Sequence, residues 1–170
     1  MKAANGSRVS RRKVDVSNII WDDVIDKINY DVQMQEFSVI HDKPQKHNVL
    51  AKTKERILLN TPPPTIICEG SYAPYSFKPI VDQFKLYGMD QFHTYVSFCK
   101  GSSTFGRHND IDNVMICPIV GKIGYTVDEL GRVELDPGDV LCIPRYVYHE
   151  PHVYGPRAIL SFSGAADGNV

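Results

Sequence analysis

Two histidines and one aspartate have the types and the spacing to hold a divalent metal. His108 and Asp110 stand one residue apart in Thr-Phe-Gly-Arg-His108-Asn-Asp110, and His149 lies far downstream at the end of Pro144-Arg-Tyr-Val-Tyr-His149. Two imidazoles and one carboxylate can occupy one face of an iron(II) ion and leave the other face open for oxygen and a co-substrate. Residues i and i+2 of a strand point the same way, so His108 and Asp110 converge if their segment is extended. His149 must then arrive from a neighbouring strand. His152 is a rival ligand, but it follows Pro151 in a segment expected to leave the strand. It ranks behind His149 and stands as a candidate substrate contact. His93 opens an earlier strand and reads as structural. His41 and His47 fall among Asp, Lys, Pro and Gln and read as loop residues.

The elements that must position these side chains read in two halves. After Gln91 the pattern is one of short strands: Phe92 to Cys99, Thr104 to Asp110, and Asn113 to Val120. A hairpin follows, from Lys122 to Val127 and from Arg132 to Leu135, with Gly131 in its turn. Asp136-Pro-Gly-Asp is a tight turn by composition. Val140 to Ile143 and Arg157 to Ser163 complete the set. Short strands at regular spacing, separated by turn signals, point to a sandwich or jelly roll. Before Gln91, Ser17 can cap a helix whose apolar stripe is Ile20, Trp21, Val24, Ile25 and Ile28, with Asp22, Asp23 and Asp26 on the other face. Lys78 to Tyr87 reads as a second helix, stopped by Gly88. Residues 31–56 carry little signal. The two apolar runs between Ile57 and Cys68 are broken by Pro62, Pro63 and Pro64, where strands must stop.

A chain of 170 residues is one domain with room for a real core. A net charge of −1 argues against a generally nucleic-acid-binding surface. Arg8, Arg11, Arg12 and Lys13 cluster in what reads as a flexible basic tail, residues 1–16. A helical and irregular part (17–91), a β core (92–164) and a short tail (165–170) follow. No stretch approaches the roughly 20 apolar residues of a membrane span, and the first residues lack the apolar centre of a signal peptide. The four cysteines, Cys68, Cys99, Cys117 and Cys142, form no Cys-x-x-Cys pair. Free thiols in a reducing cytoplasm are expected.

The segment from Gly101 to Gly121 resembles the first cupin motif, with Asp110 replacing its second histidine and Val114 in place of its glutamate. The segment from Gly138 through Pro144 to His149 resembles the second motif, with Tyr146 at its internal glycine. A His-x-Asp pair with a distant histidine is similar to the Jumonji-C-like, iron(II)- and 2-oxoglutarate-dependent oxygenases. The likeness covers roughly residues 92 to 163. It implies a mainly β, double-stranded β-helix (a cupin jelly roll) with the N-terminal helices packed outside. It also implies His108, Asp110 and His149 as iron ligands, and a hydroxylation coupled to conversion of 2-oxoglutarate into succinate and carbon dioxide.

Such an enzyme needs a basic group for the far carboxylate of 2-oxoglutarate. The hydroxylases of this branch carry Lys or Arg two residues after the glycine that ends the first motif, where this chain has Ile123. Lys122 is adjacent but needs a bulge to turn inward. Arg157, opening the last strand, is the better candidate. Ser161 shares its face by strand parity, and Tyr95 on an earlier strand offers a hydroxyl. Phe105, Val114, Ile116, Ile143 and Tyr125 would line a dry pocket, and Tyr125 is a further candidate substrate contact. The implied substrate is a protein or peptide side chain, or an RNA-associated target. Two other classes stay open: a cupin metalloenzyme that does not use 2-oxoglutarate (a dioxygenase or isomerase), and a non-catalytic cupin binding module. Oligomeric state is not legible.

Overall fold

Strand β6 (Asn113–Val120) is apolar on both faces, and that decides the architecture. Its side chains alternate: Met115, Cys117 and Ile119 enter one core, and Val114 and Ile116 enter another. The strand therefore lies in a middle layer, covered on both sides. The computed structural model describes residues 7–10, 13–41, 45–48 and 63–164. Among these, the other strands are β1 (Arg8–Ser10), β2 (Phe37–His41), β3 (Gln45–Asn48), β4 (Ile66–Cys68), β5 (Gln91–Ser97), β7 (Ile123–Val127), β8 (Gly131–Leu135), β9 (Val140–Ile143), β10 (His149–Val153) and β11 (Arg157–Gly164). The helices are α1 (Trp21–Met34) and α2 (Lys78–Lys85).

The large sheet runs β1-β9-β6-β11-β5-β4-β2-β3 and the small one β10-β7-β8, with antiparallel pairing throughout. Val24 of α1 and Ile80, Val81 and Phe84 of α2 close the outer core against the large sheet, where Phe84 stacks on Phe162 at 4.3 Å between ring centroids. Ile123, Tyr125, Val127 and Leu135 of the small sheet close the inner core against Val114, Ile116, Leu141, Ile143 and Ile159. Pro118 sits inside β6, where it cannot donate to the ladder. The β11 register shifts between Ala158 and Ile159 at that point, and the Pro118 carbonyl accepts from Gly138 N at 2.9 Å instead.

The strands expected after Gln91 form, with one exception and one addition. Thr104 to Asp110 is not a strand. Gly106 has φ 67°, which breaks the extended run, and only His108 pairs, as an isolated bridge to His149. The addition is β10, which keeps Pro151 in register opposite Tyr125. It lies at an edge of its sheet, where a proline removes no ladder donor. Upstream, residues 8–10 are not a free tail but pair with β9, Arg8 opposite Cys142. Arg11, Arg12 and residues 165–170 lie outside the described residues. His41 and His47 belong by backbone to strands β2 and β3, not to a loop.

Helix α1 starts at Trp21, and Ser17 does not cap it. Ser17 Oγ donates to Asp15 Oδ1 at 2.6 Å, while Asp23 Oδ2 accepts from Ile20 N at 3.0 Å. Ile20 and Ile25 of the expected stripe are exposed (57% and 39%), and Lys27 and Asp31 are buried instead. Lys27 Nζ donates to Asp31 Oδ1 at 2.8 Å, to Asp31 Oδ2 at 2.7 Å and to the Gly70 carbonyl at 2.8 Å. Gly70 N donates to Asp31 Oδ2 at 3.0 Å, so the pair ties α1 to the turn after β4. Asp31→Ala leaves a buried ammonium unpaired and should cost about 3–5 kcal/mol in urea unfolding. The double variant Lys27→Met/Asp31→Leu should recover most of that loss; equal loss in both would show that the charge pair is not what holds the joint.

Burial pushes the Cys68 and Cys117 thiols up from about 9 to about 12. With the folded value raised, the unfolded chain releases these protons first. Their contribution to stability is therefore complete below about pH 9 and is lost as pH rises towards 12. Between about pH 8 and pH 10.5 the urea midpoint should fall less in Cys68→Ala/Cys117→Ala than in the parent.

Candidate metal centre and its cavity

The segment carrying His108 and Asp110 has no ladder, so specific backbone bonds must hold it. His108 N donates to the His149 carbonyl at 3.0 Å and His149 N to the His108 carbonyl at 2.8 Å. This reciprocal pair sets the two imidazoles side by side, with ring centroids 4.3 Å apart. Tyr146 N donates to the Asp110 carbonyl at 2.8 Å, which fixes the carboxylate against the same turn. Tyr146 takes φ 66°, a left-handed conformation at the position where the cupin-like motif has glycine.

The side chains are oriented as well as gathered. His108 Nδ1 lies 2.9 Å from the Gly106 carbonyl and His149 Nδ1 lies 3.1 Å from the Val147 carbonyl. A carbonyl can only accept, so each Nδ1 carries the proton and each Nε2 presents a lone pair. His149 Nε2 and Asp110 Oδ2 are 3.4 Å apart, and one ligand atom from each of the three residues lies within 4.8 Å of the others. Burial lowers the pKa of His149, which keeps its imidazole neutral, as metal ligation requires. The donor set and its orientation fit a small divalent ion.

The triad opens into a cavity of about 410 Å³. Arg157, Tyr95, Ser161 and Tyr125 all line it, as do Phe105, Val114 and Ile116. Arg157 is 2% exposed, and its Nε and Nη1 have no hydrogen-bond partner. Burial lowers the pKa of this guanidinium. The titratable neighbours acting on it are Tyr125 and Tyr95, not a carboxylate. Burial also raises both phenols, Tyr125 to about 12, so each stays a neutral hydroxyl. Around Arg157 the cavity wall thus sets a cation beside two hydroxyls, while the carboxylates that line the cavity, Asp110 and Asp112, are not among the groups acting on it, a chemical fit to the carboxylate of a small ligand.

Other sequence candidates go elsewhere. Lys122 is 66% exposed and pairs with Asp136 at 2.9 Å, because the inward position at the start of β7 belongs to Ile123. His152 alternates with His149 and Pro151 along β10 and bonds Thr126 Oγ1 at 2.7 Å, away from the cavity. Ile143 packs in the inner core and does not line the cavity. His93, read above as structural, lines the cavity, as do Ile40 and Ser163. Parity finds His93, since it shares a face of β5 with Tyr95. Nothing in residues 31–56 marks Ile40.

No protein-family model matches the sequence, and no curated protein matches it. Among solved structures the chain is similar to YcfD, a ribosomal oxygenase from Escherichia coli. Against YcfD in complex with cobalt and 2-oxoglutarate the TM-score is 0.70 at 16% identity, over 96% of this chain and 49% of that one. Against YcfD in complex with cobalt and succinic acid the TM-score is 0.66 at 16% identity, over 96% and 49%. The fold is a cupin jelly roll. The chain spans about half the length of YcfD, and at such identity the likeness speaks for the fold alone. No helix among the described residues is long and apolar enough to cross a membrane.

If the His108, Asp110 and His149 group is a metal site, Co(II) titration should show one tight equivalent. His149→Ala and Asp110→Ala should each weaken it by more than about tenfold, the lower end of what loss of even an outer partner costs. His152→Ala should bind as the parent does.

Proposed function

We propose that this protein is an iron(II)- and 2-oxoglutarate-dependent oxygenase that hydroxylates a protein or peptide side chain, the target being ribosomal or otherwise RNA-associated. The observation that carries the reading is Arg157, a buried guanidinium with unpartnered nitrogens in the wall of the same cavity as the His-Asp-His group. A cupin metalloenzyme acting on an uncharged substrate without 2-oxoglutarate leaves that cation unanswered, and a binding module has no use for an oriented ligand triad. Similarity to YcfD supports the choice of co-substrate and the class of target, because that protein is a ribosomal oxygenase captured with cobalt and 2-oxoglutarate. Free thiols at all four cysteines agree with a cytoplasmic setting.

His108, Asp110 and His149 would hold iron(II), and Arg157 the far carboxylate of 2-oxoglutarate. Iron and 2-oxoglutarate together would supply the oxidising chemistry: one oxygen atom of O₂ enters the substrate C–H bond, the other enters succinate, and carbon dioxide leaves. The protein's own work is placement. Arg157 offers a fork of N–H donors to a carboxylate, and the Tyr95, Tyr125 and Ser161 hydroxyls line the same cavity as further donors. Phe105, Val114, Ile116 and Ile159 are apolar walls that exclude water from the reacting groups. The carbonyls of Gly106 and Val147 keep both imidazoles in the ligating tautomer.

The test is succinate formation from 2-oxoglutarate by the Fe(II)-loaded protein. Asp110→Ala should abolish it. Arg157→Met should raise the KM for 2-oxoglutarate by at least about tenfold, the cost of losing charge-assisted bonds, while Lys122→Met should leave KM unchanged. Undiminished turnover in Asp110→Ala would contradict the assignment.

A further inference from the structure

Outside the cavity, the two histidine ligand positions are flanked by a second constellation. Arg107 directly precedes His108, and Tyr148 directly precedes His149. Neither neighbour lines the cavity that the imidazoles face. Arg107 Nη2 reaches Asp128 Oδ2 at 2.6 Å, and its guanidinium carbon lies 4.3 Å from the centroid of the Tyr148 ring. Asp128 follows β7, and its N donates to the Tyr148 carbonyl at 3.0 Å. The arginine thus joins three chain segments behind the metal group: the ladder-free stretch with His108 and Asp110, the approach to β10, and the end of β7. The half-exposed pair would be worth little on a rigid ladder. Here it braces a segment whose only strand-like contact among the described residues is the His108–His149 bridge.

We propose that Arg107 is a positioning residue for the metal centre. Its ion pair with Asp128 and its stacking on Tyr148 hold His108 and Asp110 at ligating distance from His149. The inference rests on reading the triad as a metal site. An arginine serves here because a planar fork can pair with a carboxylate and lie on an aromatic ring at once, which a lysine cannot do.

A double-mutant cycle tests this on metal affinity. Co(II) is titrated into the parent, Arg107→Ala, Asp128→Asn and the double variant, and the visible absorption of the bound ion is recorded alongside urea unfolding of the metal-free proteins. Each single variant should weaken Co(II) binding by about tenfold and shift the Co(II) spectrum, and the double should be no weaker than either single. Arg107→Lys should recover less than half of the lost affinity on a logarithmic scale. The metal-free unfolding midpoints should stay close to the parent's. Parent-like affinity and spectrum in both single variants, or fully additive losses, would overturn the role of Arg107. A parent protein that binds no Co(II) would instead overturn the metal site itself, so the two failures are distinguishable.

Discussion

A buried cation without an acid opposes folding, and Arg157 is such a cation. Its side chain is almost wholly enclosed, two of its nitrogens have no partner, and its titratable neighbours are two neutral phenols. An apolar side chain of similar volume would cost the fold less. The sheet nevertheless holds the guanidinium in the wall of a cavity whose wall also carries two oriented imidazoles and a carboxylate. An anionic ligand chelating a metal at that group and reaching Arg157 would neutralise the cation. Stability withheld from the empty protein would then appear as binding energy.

The scaffold makes this arrangement by alternation. Strand β6 separates an outer core, sealed by the helices, from an inner core shared by the two sheets. The same parity puts Arg157, Ile159 and Ser161 of β11, and Tyr95 of β5, on the cavity side. The candidate metal-binding group is less regular. Two of its three members lie on a stretch with no ladder, anchored by one reciprocal backbone pair and by Tyr146 N on the Asp110 carbonyl. Irregular backbone there lets His108 and Asp110 lean towards His149. It also makes their placement depend on a few bonds, which is why a surface arginine beside His108 matters.

Much of the site was legible because it obeys period-two rules. The outward turn of Lys122 and the shared cavity face of Arg157 and Ser161 follow from strand parity. His152 ranks behind His149 in the sequence for a strand exit at Pro151 that does not occur; it is alternation along β10 that turns it from the cavity. Turn glycines marked both segments that carry the candidate ligands; Gly138 takes φ 86°, and a Cβ there would press on the Val14 carbonyl. The readings that failed did so where local signal and tertiary context disagree. Gly106 ended an apparent strand. An edge position allowed Pro151 to stay in one. Lys27 and Asp31 are buried where α1 meets the sheet, while Ile20 and Ile25 of the expected apolar stripe are exposed. Strands β2 and β3 lack alternation strong enough to read, so Ile40 could not be placed in the cavity wall from its neighbours in the chain.

Thermal unfolding of the Co(II)-loaded protein, with and without 2-oxoglutarate, bears most directly on the buried cation, with Arg157→Met measured beside the parent. Without 2-oxoglutarate, Arg157→Met should melt at or above the parent's temperature, since it removes an unpaired buried charge. With 2-oxoglutarate, the parent's melting temperature should rise and the variant's should rise clearly less. A parent that gains nothing from 2-oxoglutarate, or a variant that is destabilised without it and stabilised as strongly with it, would contradict the account.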